Sequence, residues 1–302
     1  MATMTMLEFL KTEAPLPERA VARLFTDEEP FFRVFPFETN ATSGVPFNRE
    51  TALASTTARA IGETYTATQG TIEPGFEPVK IQGGISPFDS FQVVTGSGSR
   101  RAAEAQSFVE SVARNYLRDF IKGDDSSDPR IIRGLQLRQT DTDVNHVSQS
   151  AGAGTFANVL EAMGRCRRPT HWLMGRGMSN RVVLAGHDTT VGGYVTRDKD
   201  EMLGNVTVLA DLPIIVVDRD GADAEILGFT EASSTTSMYC VSLRPDMVHG
   251  IQAAPPRAED LGRDPSNGTV YNTVVDWFAT FIVRHARGAV RYSGITDVAM
   301  TL

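Results

Sequence analysis

His187-Asp188 is the residue pair with the most evident chemical capacity. A carboxylate beside an imidazole can fix its tautomer and let it work as a general base. Neighbouring residues on a strand face opposite ways, however, and no Gly-x-Ser-x-Gly elbow accompanies the pair, so it reads as a surface or loop feature. The five histidines, His146, His171, His187, His249 and His285, include no pair at metal-ligand spacing. Cys166 and Cys240 lie far apart, without a Cys-x-x-Cys partner, and read as free thiols of a reducing compartment. Asp124, Asp125 and Asp128 lack the alternate ligands, central glycine and distant glutamate of an EF-hand, so a solvated acidic loop is expected there. Gly96-Ser97-Gly98 lacks the third glycine of a dinucleotide loop and is followed by Arg100-Arg101; it reads as a flexible helix entry. These patterns predict no catalytic, cofactor or metal site.

The elements around these residues must then explain the chain. It has 302 residues, 41% hydrophobic and 22% charged, which is ordinary globular composition and enough for one large domain or two ordinary ones. The net charge is −8, and only Lys11, Lys80, Lys122 and Lys199 are lysines. The densest basic group, Arg165, Arg167 and Arg168, is small, so a role near DNA would be to enclose it rather than to read it. No apolar run reaches the roughly 18 residues that span a bilayer, and residues 1–10 lack the pattern of a secretory signal.

Ala20, Val21, Leu24 and Phe25 predict a short helix over 17–26. The segment Pro30-Phe31-Phe32-Arg33-Val34-Phe35-Pro36-Phe37 is predicted extended because of its two prolines. Its four phenylalanines need a surface to cover them, either the body of the chain or a neighbour. From 45 to 84 threonines are dense and glycines punctuate them, which predicts a long β-hairpin with little core of its own. Phe108, Val109, Val112, Ala113, Tyr116, Leu117, Phe120 and Ile121 share one helical face and predict a long amphipathic helix over 100–122. Ser99 is its expected cap and Gly123 its expected left-handed stop. A second helix follows Thr155, strands are expected at 171–174, 212–217 and 238–243, and a short helix at 179–185. A polar loop is expected from Ala253 through Pro255-Pro256 to Gly268. Val275, Trp277, Ala279, Phe281 and Val283 then alternate with their neighbours as a strand.

Several strings in this order resemble the major capsid proteins of tailed bacteriophages with the Hong Kong-type fold. They are Arg59-Ala60-Ile61-Gly62-Glu63-Thr64-Tyr65, Glu77-Pro78-Val79-Lys80-Ile81-Gln82-Gly83-Gly84, Phe120-Ile121-Lys122-Gly123-Asp124, Phe156-Ala157-Asn158-Val159-Leu160-Glu161-Ala162-Met163, Asp211-Leu212-Pro213-Ile214 and Val275-Asp276-Trp277. The resemblance implies an α+β fold with an N-terminal arm at 1–44 and an extended β-hairpin loop at 45–82. It further implies a peripheral domain with the long spine helix at 83–150, an axial α/β domain at 151–261 and a peripheral return strand at 262–302. It implies self-assembly into the hexamers and pentamers of an icosahedral head that encloses double-stranded DNA without sequence-specific binding. The expected contacts between subunits are Phe31, Phe32, Phe35 and Phe37 of the arm and Arg59, Glu63 and Tyr65 of the loop. Portal and decoration proteins are implied partners; the chain starts at the arm, so a scaffolding protein would be separate or unneeded. The virion is the implied location, with assembly in the host cytoplasm, no membrane, no cofactor and no enzymatic activity.

Two other readings stand beside this one. An encapsulin-type nanocompartment shell is similar in fold and size. A soluble α/β enzyme using His187 and Asp188 leaves the hairpin and the aromatic arm unexplained.

Overall fold

A computed structural model describes residues 3–5, 24, 29–40, 42–52, 54–95, 99–138, 145–188, 192–200, 203–232 and 234–301. In chain order the elements are β1 (Thr3–Thr5), α1 (Phe31–Val34), β2 (Pro36–Thr39), β3 (Gly44–Ala52), β4 (Thr71–Pro78), β5 (Lys80–Asp89), α2 (Ser90–Thr95), α3 (Ser99–Lys122), α4 (Leu135–Arg138), β6 (His146–Gly152) and α5 (Phe156–Arg165). They continue with β7 (His171–Gly175), α6 (Arg176–Ala185), β8 (Val195–Asp200), β9 (Gly204–Leu209), β10 (Leu212–Val217), β11 (Thr235–Val241), β12 (Val248–Arg263), β13 (Val270–Val283) and β14 (Ala289–Thr296). The expected helix at 17–26, apart from Leu24, and the Gly96-Ser97-Gly98 segment lie outside the described residues.

Among the described residues there are three sheets: five strands in the order β1-β2-β12-β13-β5, seven in the order β6-β14-β11-β7-β10-β9-β8, and the separate pair β3-β4. The helix α3 packs against the five-stranded sheet through Tyr116 and Phe120, whose rings lie 4.5 Å from Trp277 and 4.4 Å from Phe281. The central strands of the seven-stranded sheet, β7, β10 and β11, are buried on both faces. Leu173, Ile215, Val217, Tyr239 and Val241 join the core around α3, while Trp172, Met174, Ile214, Met238 and Cys240 face a second core with α5 and α6. That split follows the two-residue period of a strand. Cys166 and Cys240 are free, buried thiols in this second core, and burial with Cys166 as neighbour pushes the Cys240 thiol up.

The predicted α3 and α5 are present, and Thr155 caps α5 by accepting a hydrogen bond from Asn158 N–H at 3.2 Å. Strands at 171–175, 212–217, 235–241 and 270–283 and a helix at 176–185 also match the reading of the sequence within a few residues. Several expectations need correction. The segment at 30–37 is not simply extended: Phe31–Val34 form one helical turn, because a proline at the helix start loses no hydrogen bond, and Pro36 then begins β2. Gly123 ends α3 by a different route from a left-handed turn, since it is not among the glycines of positive φ. It is required by close approach: a Cβ there would meet the carbonyl oxygens of Ile132 and Asp119. Phe108 is only partly buried, at the margin of the core.

The loop expected over 253–268 is instead mostly strand, and only about Asp264–Thr269 turns. Pro255 and Pro256 sit where the β12–β13 register shifts between Ala254 and Arg257. The pairing of β12 with β2 stops at Gln252, so the two prolines interrupt no ladder on that side, and on the other they fall within the register shift. The C-terminal strands are shared between two sheets: the β12–β13 hairpin lies within one, while β14 pairs with β11 and β6 in the other.

Candidate assembly surface

The four phenylalanines of the arm come first. Phe31, Phe32, Phe35 and Phe37 have at most 1% of their surface exposed within their own chain. Phe31 and Phe35 pack on Phe120, at 4.9 and 5.3 Å between ring centres, and Phe32 and Phe37 pack on Trp277, at 5.9 and 5.5 Å. These are ordinary spacings for attractive edge and offset ring pairs. Gly250 on β12 makes the packing possible, since a Cβ there would strike the rings of Phe37 and Phe35. Their own chain thus covers these side chains, and their burial needs no neighbouring subunit. A short helical turn folds them back onto the body, and no surface remains to offer.

The loop behaves oppositely. Strands β3 and β4 pair antiparallel from Gly44↔Pro78 to Ala52↔Thr71. Two aromatic rings brace the pair across glycines: Phe76 lies over Gly44, and Phe47 lies over Gly75. Rings over glycines fill what would be bare backbone and fix the register. Beyond the paired part, residues 54–70 continue outward without a ladder, held near their start by Thr68 Oγ1 donating to the Ser55 carbonyl at 2.6 Å. Every residue from 54 to 74 is exposed.

The tip is nevertheless built. Glu63 N–H donates to the Ala60 carbonyl at 3.2 Å, which closes a turn with Gly62 at φ +89° in its third position. That is the backbone of a type II turn, where glycine carries no steric cost. The Glu63 carboxylate accepts from Ala60 N–H at 2.9 Å, and Arg59 donates to the Glu63 carbonyl at 2.9 Å. The Arg59 guanidinium also lies 5.0 Å from the Tyr65 ring centre, a cation–π contact. The three expected contact residues Arg59, Glu63 and Tyr65 are thus brought together, and between them they hold Ile61 outward with its entire side chain exposed.

Sequence reasoning did not single out Ile61, or the apolar residues that follow it. Ile72 and Phe76 on β4, then Ile81 and Ile85 on β5, are all more than half exposed. Single exposed apolar residues are normal, but a succession along one protruding hairpin and the edge strand that follows marks a surface built to be covered. Ile81 and Ile85 fall on the same face of β5, so their alternation with half-buried Gln82 and Gly84 was a readable signal.

At its base the hairpin is fastened. Arg138 on α4 reaches both carboxylate oxygens of Glu77, and its guanidinium stands 4.7 Å from the Phe281 ring centre. Lys80, where the hairpin rejoins the body, donates to the Pro129 carbonyl. His187 and Asp188 are exposed in the turn after α6. Asp124 accepts from the N–H and hydroxyl of Ser126, at 2.9 and 2.5 Å, and these bonds hold its carboxyl below the usual range. No group of three or more His, Cys, Asp or Glu among the described residues is placed to hold a metal. No helix among them is long and apolar enough to cross a membrane.

Neither a protein-family model nor a curated protein sequence matches the chain. Solved structures do. The SrpI encapsulin of Synechococcus elongatus PCC 7942 superposes with a TM-score of 0.66 at 10% identity, over 99% of this chain and 98% of that one. A capsid chain of the native GTA particle gives 0.63 at 11% identity, over 88% and 89%. A chain of Mycobacterium phage Bobi gives 0.60 at 10% identity, over 87% and 89%. The chain has the Hong Kong-type capsid fold.

Proposed function

We propose that this chain is a major capsid protein, which assembles with copies of itself into the icosahedral head of a tailed bacteriophage around double-stranded DNA. The observation that carries the reading is the hairpin tip. A chain with the fold of capsid subunits holds Ile61 on a hydrogen-bonded turn, fully in water, at the end of a strap with no core of its own. An isolated hairpin of this kind needs a surface to rest on. A second copy supplies it, and Arg59, Ile61 and Tyr65 are the contact residues. The loop at 45–82 then bridges subunits and the spine helix belongs to a peripheral layer. An axial layer centred on 151–261, completed by β14, crowds the capsomer centre. Portal, decoration and separate scaffolding proteins are partners of the same reading.

A second reading has its own support. The encapsulin match spans nearly the whole of both chains, so a nanocompartment shell enclosing a protein cargo is the alternative. Electron microscopy of the purified full chain tests the shared part: closed icosahedral shells are expected, and an Ile61→Asp variant should keep its folded circular dichroism while losing shells. Nuclease-protected genomic DNA in particles from the native source supports the phage head, and a stoichiometric enzyme cargo supports the compartment. A native chain that stays monomeric at all concentrations would refute both.

A further inference from the structure

Three loops remote in sequence meet at one end of the seven-stranded sheet: residues 164–168 after α5, 242–247 after β11 and 284–288 between β13 and β14. Backbone bonds fasten them together. Arg167 N–H donates to the Arg287 carbonyl at 2.8 Å, Ser242 N–H to the Gly288 carbonyl at 2.9 Å, and Arg284 N–H to the Met247 carbonyl at 2.8 Å. The result gathers Arg165, Arg167, Arg168, Arg244, Arg284 and Arg287 at one place in a chain whose net charge is −8.

Only part of this charge is cancelled locally. Glu161 pairs with Arg165 at 2.5 Å, Asp246 with Arg168 at 3.4 Å and Glu38 with Arg284 at 3.5 Å. Arg287 donates to the carbonyl oxygens of Arg165 and Gly164, at 2.6 and 3.0 Å, neutral groups that leave its charge standing. Among the described residues no carboxylate forms an ion pair with Arg167, Arg244 or Arg287, and all three are exposed. Carboxylates elsewhere on the chain act weakly here, because the screening length is about 8 Å at physiological salt.

We infer that this arginine cluster is a phosphate-contacting patch that takes the backbone of double-stranded nucleic acid without reading its sequence. Guanidinium groups present a planar fork that fits two phosphate oxygens and remain charged at any working pH. The three loops carry no exposed Phe, Tyr or Trp on which an unpaired base would stack, which favours a duplex over a single strand. No helix or ribbon projects from them to enter a groove, so contact stops at the backbone. The inference rests on the capsid reading only for the source of the duplex.

Binding of a fluorescent 40-base-pair duplex to the full chain, kept as dispersed subunits below its assembly concentration, tests the patch directly. The logarithm of the binding constant should fall with the logarithm of salt at a slope of about −3, as for three or four neutralised phosphates. An R167A/R244A variant should bind at least tenfold more weakly in low salt and lose about two from that slope. Shells formed by this variant should look unchanged in the microscope. Equal binding by native chain and variant overturns the inference. So does a variant that no longer forms shells but binds duplex normally, because the cluster would then face the acidic surface of a second copy. If the native chain forms no shells, the capsid reading fails while the binding comparison still stands or falls by itself.

Discussion

The guanidinium of Arg138 spans both carboxylate oxygens of Glu77, at 2.5 and 3.2 Å, with both side chains almost wholly buried at the root of the hairpin. Each partner belongs to a different element, α4 and β4, so the pair fixes the angle at which the strap leaves the body. Removing one member leaves the other charged and enclosed, which costs about 3 kcal/mol or more. Arg138→Ala should therefore lower the urea midpoint of dispersed subunits markedly. Glu77→Leu combined with Arg138→Met should recover much of the loss. Additive losses in the double variant would show that the two residues are not coupled.

A contrast between two phenylalanines tests the aromatic core. Phe32 is fully enclosed between Tyr116 and Trp277, whereas Phe108 is half-buried at the margin of the core. Phe32→Ala should cost roughly 3–5 kcal/mol, the range for a buried aromatic. Phe108→Ala, which opens to solvent on one side, should cost about 1 kcal/mol. Urea denaturation of the two variants side by side measures the difference, and equal losses would contradict the burial described.

Acid should weaken the subunit through two enclosed imidazoles. Burial, with Arg284 beside it and Asp246 acting the other way, pushes the pKa of His249 down to about 4. Burial likewise brings His171 to about 4 against the pull of Asp200. Both folded values lie below the unfolded value near 6.5. The stability of the neutral forms is thus fully present above about pH 6.5 and is lost as pH falls toward 4. Within that window each imidazole contributes a slope of about 1.4 kcal/mol per pH unit. Denaturation at pH 7, 6 and 5 should show the decline, and His249→Gln should remove about half of it. An unchanged slope in that variant would remove His249 from the account.

If the chain assembles as proposed, its shells should hold without covalent links between subunits. Between Arg49 and Val79 there is no lysine, and Lys80 sits against the body with its ammonium on the Pro129 carbonyl. An isopeptide bond needs a deprotonated amine placed on the loop, which arginine cannot replace. Particles boiled in detergent should run as one band near 32.8 kDa. A ladder that survives reductant would mean that some other nucleophile is at work.

What could be read from the sequence followed the strength of local periodicity. The spine helix announced itself through eight apolar residues on one face, and the hairpin through threonines, glycines and a lack of core. Arg59, Glu63 and Tyr65 were named only through the resemblance; the turn that brings them together is local, with its bonds spanning four residues or fewer. The aromatic run at 31–37 misled: its prolines looked like an extended strap, but a proline at a first helical turn is permitted, and the covering surface came from Trp277 and Phe120, far along the chain. Proline misled again at Pro255-Pro256, because only tertiary pairing reveals that this side of β12 is an edge. The assignment of β14 to the seven-stranded sheet depends on long-range partners that no local pattern encodes.

The aromatic cluster around α3 also sets a timetable. Tyr116 donates to the carbonyl of Thr280, 164 residues later, and Trp277 and Phe281 complete the packing of rings that emerge from the ribosome far earlier. At about 5–20 residues per second, on the order of ten seconds or more separate the synthesis of α3 from that of its partner strand. Closing contacts over such sequence separations is slow. A nascent chain therefore displays its sticky strap well before it owns a finished body. On the capsid reading, copies still being translated cannot yet offer one another a completed seat, and polymerisation would wait for release.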